Sequence, residues 1–407
     1  MKKPLKLIHL ANFNSTNIGN GALISGLEHL LNEDFPRKIE WKQEPWDDYT
    51  FGFRKFDRRF VDLVNAHDGL FVNGAVAIHG RAYLKETGMR FELPLAMWTE
   101  IKKPVIFYGI SYRHFQGQPF HNQEALCGYL AFLASRPNVF LGVRNDGTRK
   151  WLGQTLRLED DVLKAVHEIP DSGVFVQARR GDYPEIAPGR PVMIFSPNGE
   201  DAPYRFGDPN RHGCRQRGYV LNEEKEPGLE FHWQTNRARL AHALKNALTT
   251  VLKRTDAQLL LVPHYLDDLK FIADLVESFE PQVAHQMTIT TGLMRVAGTA
   301  RFYGRYAAAD MAVSMRVHSM SPCIGLGVPM IPLVTQPRMW DFLANVGLDD
   351  LAVDAFAEGL ETELTEQCLQ VLDDPGERRE RFMQARKRMR EEVKAINSMI
   401  FRMFNSE

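Results

Sequence analysis

"AAADMAVSMRVHSMSPCIGLGVPMIPL" occupies residues 307–333, and its residue order reads as strand, helix and strand. "MAVSM" is short, apolar and continuous, which suits a strand covered on both faces of a parallel sheet. The run after it is small and apolar. Gly325, Gly327 and Pro329 end that helix and open the next strand. Such a unit is the building block of a doubly wound α/β sheet. Arg316 and His318 stand at its first corner, where a packed core needs neither a charge nor an imidazole.

The same alternation extends outward from this unit. "LKLIHLA" (5–11), "DGLFVNG" (68–74), "PVIFYGIS" (104–111) and "NVFLGVR" (138–144) read as buried strands, separated by helical stretches such as "HNQEALCGYLAFLAS". A second series follows Pro191: "PVMIFSPNG", "QLLLVPH", "QMTITTG", "MAVSM", "MIPLV" and "LAVDA". At 407 residues the chain is too long for one comfortable core. The reading is α/β, with two Rossmann-like doubly wound domains. Residues 1–185 form the first, on the acceptor side, and 186–376 the second, on the donor side. The boundary falls near the charged, Gly- and Pro-rich stretch 177–190. Residues 377–407 form an amphipathic helix. Phe382, Ala385, Met389, Val393, Ile396, Ile400 and Phe404 recur at three- and four-residue steps on one stripe of it. Packing back across both domains is the favoured reading of this helix. A membrane-surface helix is the other.

Composition sets outer limits. Hydrophobic residues make up 44 % and charged residues 25 %, with a formal net charge of −1. No global field draws in nucleic acid, so none is expected as a partner. Four scattered cysteines show neither zinc spacing nor a disulfide framework. No window is long and apolar enough to span a bilayer, and the N-terminus lacks a signal-peptide pattern. A cytoplasmic setting follows, with peripheral contact at the inner membrane face left open.

In an open parallel sheet, ligands bind beyond the carboxyl ends of the strands. Arg316 then faces a crevice, with His318 and Ser319 in the first turn of the following helix. A helix N-terminus favours anions. An arginine adds two parallel donors suited to carboxylate or phosphate, and a histidine exchanges protons near neutral pH. Asn198, His264 and Arg338 end or follow strands of the same series and join the donor-side candidates. So do Arg205 and Arg217 from a long stretch without periodicity, 198–232, that also carries Arg211, His212 and Arg215. That stretch reads equally as an anion-gathering lid or a solvated insertion. Neither Arg316 nor His318 is expected to fill the core, so substitutions at both should leave the chain folded.

The 307–333 stretch resembles the C-terminal signature of the polysaccharide pyruvyl transferases: an "RxH" after an "AD"-led strand, then a small-residue helix ending in "GVP". "NIGNGALISGL" (17–27), "GLFVNGAVAIHG" (69–80), "GVRNDGTRKWLG" (142–153) and "IPDSGVFV" (169–176) resemble further pieces of that family in order. Gly19-Asn20 stands where the family has Gly-Asp. The resemblance implies a GT-B-like pair of domains facing across a cleft. It also implies transfer of pyruvate from phosphoenolpyruvate to a sugar of a glycan or lipid-linked saccharide, often as a ketal, with release of phosphate. On this reading Arg316 holds the donor's anionic groups and His318 supplies the proton for C3. Asn17, Gly19, Asn20, His79 and Arg81 meet the acceptor. No metal and no cofactor beyond the donor are expected.

Two other readings share the fold. A nucleotide-sugar glycosyltransferase would commonly carry a ribose-binding Glu near the Gly-Val-Pro corner, and none lies between Arg316 and Pro329. A non-catalytic glycan-binding protein would keep the cleft without the chemistry. Dinucleotide-dependent oxidoreduction is disfavoured, because no GxGxxG follows the first strand.

Overall fold

The computed structural model describes residues 3–404, apart from positions 75, 81–83, 85, 116, 117, 119, 180, 208–228, 278 and 291–294 and the side chains of 229–232. Arg81 and Arg217 of the candidate set therefore lie outside the described residues. So do Arg211, His212 and Arg215.

The first sheet contains β1 (Leu5–Ala11), β2 (Ile39–Pro45), β3 (Gly69–Asn73), β4 (Val76–His79), β5 (Val105–Arg113), β6 (Val139–Arg144) and β7 (Val166–Ile169). Its order is β2-β1-β3-β5-β6-β7, with β4 beside β5. The second contains β8 (Val192–Ser196), β9 (Gln258–Leu261), β10 (Met287–Ile289), β11 (Met311–Ser314), β12 (Met330–Val334) and β13 (Val353–Asp354), in the order β10-β9-β8-β11-β12-β13. Every pairing in both sheets is parallel. The longer helices of the first half are α1 (Gly19–Asp34), α2 (Arg58–Asn65), α3 (Gln123–Ala134) and α4 (Thr148–Gln154). Those of the second are α5 (Leu229–Arg254), α6 (Leu266–Val276), α7 (Thr299–Ala307), α8 (Val317–Leu326), α9 (Pro337–Asn345), α10 (Leu360–Asp373) and α11 (Gly376–Arg402).

These are two Rossmann-like sheets in a GT-B-like arrangement. β2, β4 and β7 were not legible as strands in the sequence. β2 is an edge strand whose Glu40, Lys42 and Gln43 are exposed, so it lacks the apolar run that marks a strand covered on both faces. β4 and β7 are four residues each, too short to carry a period.

Chain order reverses direction between β1 and β3 in the first sheet and between β8 and β11 in the second. Loops at such switch points splay apart and leave a crevice. The crevices of the two sheets face each other. Gly19, at the start of α1, sits so close to His318 of α8 that a Cβ there would collide with the imidazole.

One apolar cluster joins the halves. Ile18, Ala22 and Leu30 of the first half share it with Val317, Met320 and Ile324 of α8 and with Phe382, Ala385, Met389 and Val393 of α11. Further along α11, Ile400 enters a second cluster with Phe71 and Tyr108 of the first sheet. Asn397 accepts from the Tyr108 hydroxyl at 3.0 Å and donates to Asp34 at 2.7 Å. Arg390 donates to the same Asp34 at 3.0 Å. α11 thus packs on both sheets. Among the described residues no helix is long and apolar enough to cross a membrane.

Candidate active site

β11 ends where the backbone must turn into α8, and Arg316 is the N-cap residue of that helix, in extended conformation. Gly327 closes α8 in the left-handed region, φ 68°, which glycine adopts without a Cβ penalty. Arg316 is 6 % exposed. Its Nε donates to the Pro197 carbonyl at 3.1 Å and its Nη1 to Glu200 at 2.6 Å, while Nη2 donates to Asp268. Burial pulls the guanidinium down, but Asp268 and Glu200 outweigh it and hold the group above its ordinary value. This corrects one expectation. Arg316 is a structural ion pair as well as a cleft residue, and removing it strands the buried Asp268 carboxylate at a cost of about 3–5 kcal/mol.

Asp268 ties the corner together. Fully buried in the first turn of α6, it accepts from the backbone N–H groups of Gly199 at 2.9 Å, His264 at 2.9 Å and Tyr265 at 3.0 Å. It holds the loop after β8, the loop after β9 and Arg316 in one arrangement.

His318 is half-buried. Arg144, from the carboxyl end of β6 across the cleft, approaches its Nε2 at 2.8 Å. A guanidinium can only donate, so Nε2 accepts and the proton resides on Nδ1. Burial first, then Arg144 and Arg338, push the imidazole well below its ordinary 6.5. Without a ligand His318 is a neutral base rather than the imidazolium that proton donation to C3 requires. Arg144 itself lies 3.4 Å from Asp171 and 3.7 Å from Asp146, and also donates to the Gly74 carbonyl.

Arg205 is 2 % exposed. Its Nε donates to the Glu200 carbonyl at 2.9 Å and its Nη1 to Thr335 at 2.8 Å, and the guanidinium lies 5.4 Å over the Phe115 ring. Among the described residues it has no carboxylate ion pair. Burial, with help from Arg316 and Arg338, pushes it down to about 10. Arg338, at the start of α9, reaches across to donate to the Tyr112 carbonyl at 2.7 Å and Ser111 at 3.2 Å. Arg113, at the end of β5, pairs with Asp201 at 3.0 Å.

Asn17, Asn20, Asn198, Arg205, Arg316, His318 and Arg338 line one pocket, together with Arg113, Glu200 and Gln336. Asn17 accepts from the Gly19 N–H at 3.1 Å, and Asn20 donates to Ser15 at 3.0 Å. Asn198 braces the turn through the Met315 carbonyl at 3.3 Å and the Glu200 N–H at 3.1 Å. Three candidates stand elsewhere. His264 turns into the core of the second domain, where it meets the Tyr306 hydroxyl at 2.7 Å and packs edge-on against Phe302. Its backbone carbonyl, not its ring, faces the first domain, accepting from Ile18 at 3.1 Å. Ser319 is fully buried and bonds to Ser314 and to the Arg316 carbonyl, stitching its own turn. His79 is buried at the end of β4, outside the pocket lining.

Sequence reasoning missed Arg113, Arg144, Glu200 and Asp268. Arg113 and Arg144 each end a strand at the cleft edge, which is the signal that found Arg316. Glu200 and Asp268 carried no such signal, because their partners are distant in sequence.

The profile of the polysaccharide pyruvyl transferases matches residues 17–337. The chain belongs to the polysaccharide pyruvyl transferase family. No curated protein matches it significantly. Among solved structures it is similar to the spinosyn rhamnosyltransferase SpnG (10 % identity, TM-score 0.47, covering 99 % of this chain and 100 % of that one). It is equally similar to Anabaena Alr3699/HepE in complex with UDP-glucose (10 %, 0.47, 99 % and 100 %). An O-GlcNAc transferase of Thermobaculum terrenum is another (11 %, 0.42, 99 % and 68 %).

Proposed function

We propose that this pyruvyl transferase moves pyruvate from phosphoenolpyruvate to a glycan or lipid-linked saccharide as a ketal, releasing phosphate. The observation that carries the reading is Arg205: a buried guanidinium with no carboxylate ion pair among the described residues, in a pocket shared with Arg113, Arg316 and Arg338. The Asp201 and Glu200 carboxylates reach it only as non-contacting charges, and a buried cation with no directly paired carboxylate among the described residues is costly. A donor bearing both carboxylate and phosphate supplies one.

The reaction balances without a redox partner. C3 of the donor takes a proton, C2 becomes cationic, and one sugar hydroxyl attacks it and loses its proton. A second hydroxyl of the acceptor replaces the phosphate, which leaves as hydrogen phosphate. His318 serves as the acid only after donor binding. The donor's negative charge offsets the repulsion by Arg144 and Arg338 and draws a proton onto the imidazole. Glu200, held below the ordinary carboxylate range by Arg316 and Arg113 against the effect of burial, is the base for an acceptor hydroxyl. Asn17 and Asn20 face the acceptor.

The test is calorimetry with phosphoenolpyruvate and with UDP- and GDP-sugars, followed by phosphate release in the presence of candidate glycans. Phosphoenolpyruvate binding with glycan-dependent phosphate release is expected. Binding of a nucleotide sugar, with none of phosphoenolpyruvate, would overturn the reading.

A further inference from the structure

Phe51 and Phe53 are 71 % and 80 % exposed, more than the other large apolar side chains on the described surface. They flank Gly52, whose φ of 77° places it in the left-handed region with open space around it. The turn they form is not slack. Phe56 folds back to stack on Tyr49, with ring centroids 4.4 Å apart, and packs against Phe60 and Phe91. Tyr49 donates to Glu44 at 2.7 Å, and Arg54 pairs with the same carboxylate. Asp57 caps α2 through the Arg59 N–H at 2.9 Å. A well-anchored pedestal therefore presents two phenyl rings to solvent, where they contribute nothing to the fold.

Charge around the turn is mixed, with exposed cations beside the rings. Residues 51–59 read "FGFRKFDRR", with four cations against one carboxylate. Arg54 is paired with Glu44 and Asp48, and Arg58 with Asp62 and Glu100, so these two add no net positive charge. Lys55 and Arg59 are exposed, and neither has an ion pair among the described residues. Apolar rings at the tip with lysine and arginine at the base match the boundary of an anionic bilayer, where rings enter the acyl region and cations meet headgroups.

The turn's position adds a reason. It follows β2 at the carboxyl edge of the first sheet. The Asn14 N–H donates to Asp47 at 3.1 Å and the Asn14 side chain to Asp48 at 3.3 Å, so the pedestal is tied to the loop that continues into Asn17 and Asn20. We propose that the Phe51–Phe53 turn inserts into an anionic lipid surface and seats the acceptor side of the cleft beside it. This deepens the proposed function, since a lipid-linked saccharide would then meet the site from the surface in which its lipid is embedded.

The experiment is co-sedimentation of the full chain with vesicles of equimolar phosphatidylcholine and phosphatidylglycerol, without donor or acceptor. The intact chain is expected to bind, more weakly as salt rises. The double substitution Phe51→Ser/Phe53→Ser should lower partitioning at least about tenfold, the effect of removing roughly one buried aromatic side chain. Lys55→Glu/Arg59→Glu should weaken it on these vesicles but not on phosphatidylcholine alone. Phosphate release with a water-soluble glycan should be unchanged in the phenylalanine variant. Failure of the intact chain to bind vesicles would overturn the proposal and leave the turn to a protein partner. Undiminished binding by the phenylalanine variant, with loss in Lys387→Glu/Lys394→Glu, would overturn it in favour of the face of α11. The binding readout needs no catalysis, so it stands or falls separately from the pyruvyl-transfer reading.

Discussion

Glu200 shares Arg316 with Asp268 but has a different freedom. Asp268 is fixed by three backbone N–H groups and is fully buried, whereas the Glu200 side chain is 19 % exposed and lines the pocket. An anionic donor approaching Arg316 meets Glu200 first. Glu200→Gln removes that charge and is expected to tighten phosphoenolpyruvate binding about tenfold. It should also lower glycan-dependent turnover by about 10²-fold or more if the carboxylate serves as base. Calorimetry and phosphate release read the two separately, and weaker donor binding would refute the displacement. His318 makes a second claim at this scale. Its imidazole is held neutral well below 6.5, and a bound trianion reverses that, so donor binding near neutral pH should take up a proton. Calorimetry in buffers of different ionisation enthalpy measures this uptake, which His318→Asn should abolish. The same depression has a stability consequence. His318, His264 and His114, the last pushed down to about 4 chiefly by burial, are neutral when folded. Below about 6.5 the unfolded chain binds more protons than the folded one. The stability these groups confer is therefore complete above that pH and is lost as pH falls, at about 1.4 kcal/mol per pH unit for each histidine. Urea midpoints measured through this range should fall accordingly.

At the scale of elements, the short helical turn Ser172–Phe175 is held between α1 and α8. Two glycines make the approach possible. A Cβ at Gly26 of α1 would meet the Ser172 carbonyl, and one at Gly325 of α8 would meet the Val174 carbonyl. Both obstacles are backbone, which cannot rotate away. Gly325→Ala is therefore expected to push α8 off this turn and to destabilise the chain by about 1–3 kcal/mol. Because α8 carries His318 in its first turn, turnover should fall as well. Denaturant unfolding and phosphate release on the same variant test both. A variant of native stability would mean that the seam has room to shift.

The whole molecule is organised by α11. Its first turns lie in the cluster that joins both halves, and Ile400 lies against the first sheet. Two sheets that share one helix and one apolar cluster should unfold together. Met389→Ala and Ile400→Ala remove side chains from the two clusters that strap joins, and each is expected to cost about 2–5 kcal/mol. Hydrogen exchange read across the chain should show a single shared transition shifted by either change. Separate transitions for the two sheets would show that the strap does not couple them.

Buried parallel strands announce themselves in a linear chain because both faces are covered, so β1, β3, β5, β6, β8, β9, β11 and β12 read as unbroken apolar runs. The sequence alone therefore determined the α/β class, the tandem arrangement and the strand–helix corner that bears Arg316 and His318. It also showed the apolar stripe of α11, which follows from helical period alone. What it could not determine were the pairings made between residues distant in sequence. Arg316 looks like a free anion fork until Glu200 and Asp268, 116 and 48 residues away, come to lie against it. His318 looks like an acid until Arg144, 174 residues earlier, turns its lone pair into an acceptor. His264 and Ser319 look like ligands until the turn of the chain points them inward. Protonation and orientation are set by neighbours in space, and only the tertiary structure brought those neighbours together.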